Sequence, residues 1–347
     1  MRKISYCEAL NEAMTQEMER DPSVFVYGIG VPDHKRIFCS TDGLVEKFGA
    51  ERCFDTPLAE DAMTGFGLGA AINGMRPIHV HARMDFMLLC MNQIANMIAS
   101  YRYSARGRLR VPIVIRAIVG RGWGQTFQHS KSMHATFAHI PGLKVVMPTT
   151  PRDAKGLLIS AIRDDNPVIF IEHRWLYYAV DDVPEEPYTL PIGEPNILRT
   201  GKDITIVATS WMNVEAIKAA DILEEKHAIS AEIIDPRTIT PFNDEAIIES
   251  VERTGHCIVA DNDWVHCGFS AEVAARVSEA CFGQLKSPVQ RIGFAFTHCP
   301  SPRPLENAFY PNAVDIVRAA EKKLRLPAAE IVADDMYSYE KKFTGPF

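Results

Sequence analysis

The sequence lacks the features that mark membrane, secreted and nucleic-acid-binding proteins. No apolar run approaches the roughly 18 residues of a membrane-spanning helix, and the start of the chain turns acidic at Glu8 before a signal-peptide core can form. The eight cysteines contain no Cys-x-x-Cys pair, so neither a disulfide framework nor a thiolate zinc site has the spacing it requires. The 37 basic and 44 acidic side chains leave a net charge of −7, without a basic block for nucleic acid or anionic lipid. We therefore expect a cytoplasmic protein with neither nucleic acid nor membrane as a partner.

Motifs that would form a complete active site are also missing. The chain has neither the Gly-Lys-Ser/Thr of a phosphate-binding loop nor the Gly-x-Ser-x-Gly of a hydrolase nucleophile. Residues 65–70 (Gly-x-Gly-x-x-Ala) imitate the dinucleotide-binding fingerprint, which requires a strand ending at its first glycine. Thr56-Pro57 instead predicts the start of a helix that includes residues 60–73 and is closed by Gly74. We therefore do not predict a nicotinamide-dependent enzyme.

The small residues of this helix recur at helical spacing. Ala62, Gly65 and Gly69 form a smooth stripe, which predicts the close approach of another helix, either within the chain or across a subunit interface. Glu60, in the first turn, is the kind of carboxylate that commonly interacts with the helix dipole. If the stripe is buried, however, Glu60 is buried with it and keeps a proton that it can donate to a ligand. Both interpretations of Glu60 are open on spacing alone.

The 347 residues are too many for one hydrophobic core and indicate two domains. Short β-branched runs alternate with longer amphipathic segments, which predicts the doubly wound α/β class in both. Residues 181–202 lose this periodicity and collect four prolines, so we place a linker there, between domains at 1–180 and 203–329 and before a tail at 330–347. The predicted strands are 24–29, 77–81, 111–117, 143–147, 168–172, 204–208, 231–235, 257–261 and 289–292, and the predicted helices are 4–18, 84–104, 151–163, 213–226, 243–253, 268–280 and 313–325.

Histidines supply further candidates. His129 follows an apolar strand, which places it at the carboxyl end of a parallel sheet, where ligands bind, as a candidate acid or base. His129, His134 and His139 recur every five residues, which fits no helical face and argues against a three-histidine metal site. His79 and His81 share one face of a strand without a visible third ligand, and we interpret them as structural.

Seven segments, in order along the chain, carry a family likeness: Phe54-Asp-Thr-Pro-Leu-Ala-Glu60, Gly69-Ala-Ala-Ile-Asn-Gly-Met-Arg-Pro-Ile78, Gln128-His-Ser130, His139-Ile-Pro-Gly-Leu-Lys-Val-Val146, Ala154-Lys-Gly156, Ser160-Ala-Ile-Arg-Asp-Asp-Asn-Pro-Val168 and Asp235-Pro-Arg-Thr-Ile-Thr-Pro241. Together they resemble the β subunit of the thiamine-diphosphate-dependent decarboxylase component of 2-oxo acid dehydrogenase complexes, in the transketolase superfamily. The likeness spans about residues 3–325. It implies a pyrimidine-binding domain followed by a transketolase-type C-terminal domain.

The resemblance implies roles position by position. Glu60 matches the glutamate that hydrogen-bonds the aminopyrimidine of the cofactor and whose proton promotes formation of the nucleophilic carbon. Leu58 matches its apolar neighbour, and Phe86 matches the aromatic side chain that stacks on the pyrimidine. His129 matches a histidine that faces the reacting carbon, in a substrate pocket to which we also assign His134.

Ions and partners follow from the same resemblance. Ile113, Ala161, Ile162, Asp164 and Asn166 match a structural potassium site built from carbonyl oxygens. The Gly-Asp-Gly...Asn signature that holds magnesium and the diphosphate is absent from this chain and in the family belongs to the α subunit. We therefore expect an enzyme that is active only as an α2β2 heterotetramer, with thiamine diphosphate at each α/β interface and a lipoyl acyltransferase core as a further partner.

Some positions depart from the usual pattern of the family. Asp61-Ala62 replaces an apolar residue and a glycine, and Met133, His134 and Thr136 stand where the family carries Phe, Ala and Trp. A pocket with polar groups in place of aromatic side chains would suit a hydroxylated or phosphorylated donor. The tail at 330–347 outlasts the usual β subunit, so its role and the docking to an acyltransferase stay open.

Three functions are therefore compatible with the sequence. The leading one is the β subunit of a dehydrogenase that decarboxylates a 2-oxo acid and transfers the acyl group to a lipoyl arm. The second is half of a split transketolase, which moves a two-carbon ketol unit between sugars. The third, from another class, is a non-catalytic binding subunit.

Overall fold

The chain forms two α/β halves, which the computed structural model describes at residues 2–33, 37–120 and 126–331. The strands are β1 (Arg2–Ser5), β2 (Val24–Gly28), β3 (Cys53–Phe54), β4 (Arg76–His81), β5 (Val114–Val119), β6 (Lys144–Val146), β7 (Val168–His173), β8 (Val180–Val183), β9 (Asn196–Arg199), β10 (Ile204–Ala208), β11 (Ala231–Asp235), β12 (Thr238–Thr240), β13 (Cys257–Trp264) and β14 (Gln290–Phe294). The α-helices are α1 (Tyr6–Arg20), α2 (Leu44–Phe48), α3 (Glu60–Ile72), α4 (Ala99–Ser104), α5 (His134–Ala138), α6 (Pro151–Arg163), α7 (Trp211–His227), α8 (Glu245–Thr254), α9 (Phe269–Ala280), α10 (Arg303–Phe309) and α11 (Ala313–Leu324). None of the helices in the described ranges is long and apolar enough to cross a membrane.

Each half is built around one large sheet. The first sheet has seven strands in the order β12-β6-β7-β5-β4-β2-β3, and all of its pairs are parallel except that of β12 with β6. The second has the order β14-β13-β10-β11-β9, with β9 antiparallel at its edge. Every residue of strands such as β5 and β10 is buried, because helices cover the faces of these sheets. The predicted doubly wound α/β class is confirmed.

Local sequence explains where the elements begin. Helix α6 starts after Thr150, whose hydroxyl accepts a hydrogen bond from the amide of Asp153, and has Pro151 at its first position. Its predicted bounds, 151–163, are confirmed. Helix α3 spans Glu60–Ile72 and is followed by Gly74 at a φ of +94°, a conformation that favours glycine. This continuous helix confirms that residues 65–70 are not a strand-to-helix nucleotide loop.

The structure differs from the sequence prediction at three places. The helix predicted at 84–104 is a 3-10 helix at Met84–Cys90, a π-helix at Asn92–Ile98 and then α4. The predicted linker at 181–202 contains strand β9, and strand β8 overlaps its start. Strand β12, from the second half of the chain, completes the edge of the first sheet. Residues 332–347, most of the predicted tail, lie outside the described residues.

The connection between the halves is tied to the first one by Lys155. This lysine is fully buried on α6, and its ammonium group donates hydrogen bonds to the carbonyl oxygens of Pro184, Glu185 and Glu186 and to the carboxylate of Glu12. A buried ammonium requires such acceptors because its desolvation is costly. The segment therefore follows a fixed path over the first half.

Candidate active site

A pocket of about 160 Å³ opens at the carboxyl ends of β2, β3 and β4. In parallel α/β sheets this edge is where ligands bind, because the connecting loops and helix N-termini meet there. The described residues that form its walls are mostly apolar, with one carboxylate and two imidazoles. The lining residues are Ile29, Thr56, Pro57, Leu58, Glu60, Met63, His79, Val80, His81, Ala82 and Phe86.

Glu60 reaches the pocket from the first turn of α3. The residue before the helix, Ala59, has no side chain that can cap it, so Glu60 lies beside amide groups that the helix itself leaves unpaired. Glu60 is half-buried in this chain. The burial that the sequence analysis considered for Glu60 is therefore only partial in this chain.

The structure brings together three of the predicted cofactor residues. Leu58, Glu60 and Phe86 line the same pocket, although they come from a loop, a helix and a 3-10 helix. Leu58 is 83% exposed in this chain, so it forms the outer lip of the pocket. A carboxylate beside an aromatic face and apolar walls fits a flat, nitrogen-containing ring.

His129 lies next to this group. Its ring meets the ring of Phe86 edge to face, with centroids 5.4 Å apart. The Nδ1 atom of His129 is buried and has no hydrogen-bond partner among the residues that the structure describes. An ion pair between Lys131 and Asp85, 3.1 Å long, ties the loop of His129 to the 3-10 helix of Phe86. The loop is therefore held beside the pocket, with one imidazole nitrogen left for a ligand.

His134 does not join the pocket. It is fully buried between the two halves, where its Nε2 lies 2.9 Å from Oδ1 of Asp261 and its Nδ1 lies 3.2 Å from the hydroxyl of Ser132. Both ring nitrogens are therefore engaged inside the chain. Thr136 is exposed and lines a different cleft, so neither of these two polar positions contacts the Glu60 pocket. They supply no support for a polar substrate there.

The ionisation of His134, Asp261 and Asp263 follows from their burial and from the charges they place on one another. Burial opposes the charged form of His134, but the carboxylates of Asp261 and Asp263 outweigh it and raise its pKa. Burial likewise opposes ionisation of Asp261, and the charge of His134 lowers its pKa below the usual range. Burial raises the pKa of Asp263 to about 7. The sequence offered His134 only as a pocket residue and gave no signal for this pairing across 127 positions.

The five residues of the predicted potassium site lie near one another around the end of α6. The guanidinium group of Arg76 donates hydrogen bonds to the carbonyl oxygens of Ile162 and Asp164, at 2.9 and 3.0 Å. The carbonyl oxygens of Ile113 and Ala161 accept from backbone amides. A potassium ion would therefore share these oxygens with existing donors, and potassium binding by Ile113, Ala161, Ile162, Asp164 and Asn166 stays a prediction.

No cluster of three or more His, Cys, Asp or Glu side chains that could hold a metal occurs within residues 2–33, 37–120 and 126–331.

The two histidines of β4 belong to the pocket, which the sequence interpretation missed. His79 stacks on Tyr27 with centroids 4.4 Å apart, and its Nδ1 lies 3.4 Å from the hydroxyl of Thr64. His81 is the last residue of β4 and is 4% exposed. The available signal was their place at the end of a strand. Residues two positions apart lie on one face of the sheet, and those at the carboxyl end of a parallel strand lie at the edge where ligands bind.

Helix α3 has one face inside the chain and one outside. Its buried face contains Gly67, where an added Cβ would lie 2.1 Å from the hydroxyl of Tyr27. On the other face Ala62 is exposed, and a Cβ added at Gly69 would meet no atom within 4 Å. Gly65, the third position of the predicted stripe, packs within the chain, since a Cβ added there would lie 3.4 Å from Oε1 of Gln93, whereas Ala62 and Gly69 face outward.

Comparison with known proteins agrees with this architecture. Residues 2–179 match the pyrimidine binding domain of transketolase, and residues 193–316 match the transketolase C-terminal domain. The β subunit of acetoin:2,6-dichlorophenolindophenol oxidoreductase from Cupriavidus necator is 44% identical, over 93% of this chain and 98% of that protein. From Bacillus subtilis, the 2-oxoisovalerate dehydrogenase subunit β is 43% identical and the pyruvate dehydrogenase E1 component subunit β 39%, each over 93% of this chain and 99% of that protein.

A solved structure shares the fold. It is a split-gene transketolase in the form of an inactive β4 tetramer, with a TM-score of 0.73 and 23% sequence identity, over 94% of this chain and 99% of that one. At this identity the likeness establishes the fold alone. The curated sequences, in contrast, are similar along nearly their whole length.

Proposed function

This chain belongs to the transketolase-type family of 2-oxo acid dehydrogenase β subunits, and we propose from that premise that it provides the pyrimidine side of a thiamine diphosphate site and acts with an α subunit. The observation that carries the proposal is the convergence of Glu60, Phe86 and Leu58 on one pocket, with His129 beside them. The reaction is the oxidative decarboxylation of a 2-oxo acid, or the related cleavage of acetoin. Relatives named as dehydrogenase and oxidoreductase subunits favour this function over a split transketolase and over a non-catalytic subunit.

The residues present suit the aminopyrimidine ring. Glu60 would hold a proton against a ring nitrogen, Phe86 would stack on the face of the ring, and Leu58 and Met63 would exclude water. When bound, thiamine diphosphate supplies a nucleophilic carbon that attacks the 2-oxo group and accepts the electrons released with carbon dioxide. His129 would orient the substrate or exchange a proton with it through Nδ1, the nitrogen for which no described residue is a hydrogen-bond partner.

The remaining parts of the site would come from other chains. We propose that an α subunit holds magnesium and the diphosphate, since this sequence has no motif for them. The outward stripe of α3 and the exposed Leu58 suggest surfaces covered in an α2β2 heterotetramer. A lipoyl acyltransferase core is proposed as the acceptor partner. Potassium at the end of α6 and a cytoplasmic location remain predictions.

The proposal is tested by replacing Glu60 in the assembled enzyme. Glu60→Gln keeps the size of the side chain but removes its acid, so turnover of 2-oxo acids should fall by about 10² to 10⁴. Asp61→Asn is the matched control, because Asp61 is the adjacent carboxylate, is exposed and accepts a hydrogen bond from Gln93 that an asparagine can also accept. It should retain activity within about threefold. Release of carbon dioxide from 2-oxo acids and ketol transfer between sugar phosphates are measured in parallel.

Two outcomes would contradict the proposal. Full activity of Glu60→Gln would show that no acid at this position takes part. Ketol transfer without carbon dioxide release would identify a split transketolase instead.

A further inference from the structure

The inner wall of the Glu60 pocket carries two imidazole rings whose surroundings differ. His79 and His81 lie on the same face of β4, with ring centroids 4.3 Å apart, and both are buried. His79 has partners on both sides, the ring of Tyr27 and the hydroxyl of Thr64. The Nε2 atom of His81 is buried and has no hydrogen-bond partner within the described part of the chain.

An unpaired nitrogen at this place indicates a missing ligand atom. A buried polar group left without a partner costs about 1–3 kcal/mol, so such groups in folded proteins are normally satisfied. His81 is 4% exposed, which leaves bulk water little access to it. It also lines the same cavity as Glu60 and Phe86. A molecule bound in that cavity is therefore in position to supply the missing hydrogen bond.

The charge state of His81 limits which atom this is. Burial lowers the pKa of His81 to about 4. Among the residues that the structure describes, Glu60 and His79 are the other ionisable side chains that line the pocket. Burial, followed by the proximity of His81, also lowers the pKa of His79. Both imidazoles are therefore neutral near pH 7. A neutral imidazole gives no charge attraction to a carboxylate or phosphate, but it can donate to or accept from a neutral ring nitrogen or amino group.

We propose that His81 is a ligand-binding residue of this pocket, whose Nε2 forms a hydrogen bond with a neutral heteroatom of a nitrogen heterocycle that Glu60 and Phe86 also contact. The inference rests on the proposed function for the identity of that ring as the aminopyrimidine of thiamine diphosphate. His81 adds affinity and fixes the rotation of the ring in its plane, because a ring held at two polar atoms cannot turn. It takes no proton from the reacting atoms.

The test compares three variants in the complex assembled with the α subunit. The dissociation constant of thiamine diphosphate is measured by calorimetry, and kcat is measured at saturating cofactor. His81→Phe removes the hydrogen bond but keeps a flat ring, so the dissociation constant should rise about tenfold or more. His81→Gln restores a donor and an acceptor and should recover most of that affinity. His139→Phe, at an exposed position outside the pocket, should bind as the wild type does.

A changed dissociation constant with kcat kept within about threefold supports a binding role. Equal affinity of His81→Phe and the wild type overturns the inference while leaving the proposed function intact. Failure of the wild-type complex to bind thiamine diphosphate would contradict the proposed function itself, so the two failures are distinguishable. If His81→Phe does not assemble, the ¹⁵N resonance of His81 Nε2 in the wild-type complex decides. It should shift on addition of the cofactor, and an unchanged resonance overturns the inference.

Discussion

His129 is held in place by contacts that leave part of its ring unused. The ion pair of Lys131 with Asp85 and the edge contact with Phe86 fix the loop, and Nδ1 remains without a partner within the described ranges. We expect a side chain arranged in this way to act on a ligand rather than on the fold. Its loss should therefore change turnover much more than stability.

We expect His129→Ala to reduce kcat of the assembled enzyme by about 100-fold, the lower end of the range for an acid or base catalyst. The dissociation constant of thiamine diphosphate should stay within about threefold, because Glu60 and Phe86 remain. Steady-state kinetics and calorimetry check the two values. A variant that loses cofactor affinity but keeps kcat would place His129 in cofactor binding instead.

Residue patterns grouped the side chains of the Glu60 pocket better than they placed the other histidines. Glu60, Leu58 and Phe86 follow from a local family likeness, and the fold brings them into one pocket. The surroundings of His134 could not be predicted from spacing, because they depend on a residue far away in sequence. Asp261, which fixes His134, is 127 positions distant.

Helix α3 shows how one element can have two different uses. Its inner face packs so tightly that Gly67 leaves no room for a methyl group beside Tyr27 and Ile113. Its outer face, with Ala62 and Gly69, has space for another helix. Substitutions on the two faces should therefore affect different properties of the protein.

Gly69→Phe should leave the melting temperature of the chain unchanged, because nothing lies within 4 Å of the new Cβ. It should, however, reduce assembly of the heterotetramer, measured by analytical ultracentrifugation after co-expression with the α subunit. Gly67→Ala is the matched control and should lower stability by about 1–3 kcal/mol through overpacking against Tyr27. Wild-type assembly by Gly69→Phe would show that this face is not a subunit contact.

At the scale of elements, the sequence predicted type and order well and helix subtype poorly. Strands β10 and β11 and helix α6 match their predicted bounds. The segment 84–104 has helical periodicity, but periodicity near 3.6 residues does not distinguish an α-helix from a succession of 3-10, π and α turns. Short edge strands such as β12 lack a pattern long enough to detect.

The two halves of the molecule are joined by a cluster of buried ionisable side chains as well as by the covalent connection between them. His134 comes from the first half, and Asp261 and Asp263 come from the second. Thr209 donates a hydrogen bond to the same oxygen of Asp261 that faces His134, and the amide of Ser270 donates to the other oxygen. The protonation of this group therefore affects how firmly the halves hold together.

The stability of the chain should fall as the pH rises above about 6.5, the ordinary pKa of histidine. The pKa of His134 is higher in the folded than in the unfolded state, so its contribution is complete below about 6.5 and is lost as pH passes the folded value. Burial raises the pKa of Asp263 in the folded state to about 7, so the stability that this group contributes is lost as the pH rises from about 4 to 7, mostly before His134 titrates. The pKa of Asp261 is lowered in the folded state, so Asp261 contributes stability above about pH 4 and this contribution is lost only on acidification.

Thermal unfolding of the wild type and of the double variant His134→Phe/Asp261→Asn tests this pH dependence. The double variant should lack the decline above about pH 6.5, whereas His139→Phe, at an exposed position, should keep it. His134→Phe alone should be destabilised by about 3–5 kcal/mol, because Asp261 is left as an unpaired buried charge. Parallel slopes for the wild type and the double variant would exclude His134 as the titrating group.

Whole-molecule architecture was predictable as two α/β units, but the way they join was not. Composition predicted a connection from its prolines. It could not show that Lys155 holds this segment against the first unit, or that the second unit contributes a strand to the first sheet. Both contacts depend on three-dimensional proximity. They leave no local trace in the sequence.

Strand β12 has a practical consequence for recombining this chain with its relatives. A chimera with its crossover in the proline-rich connection would give the first sheet an edge strand from a different parent, paired to β6 in a register it did not evolve with. A crossover placed after Thr240 would keep the inherited pair together. The better crossover point for such chimeras therefore lies some forty residues beyond the proline-rich connection.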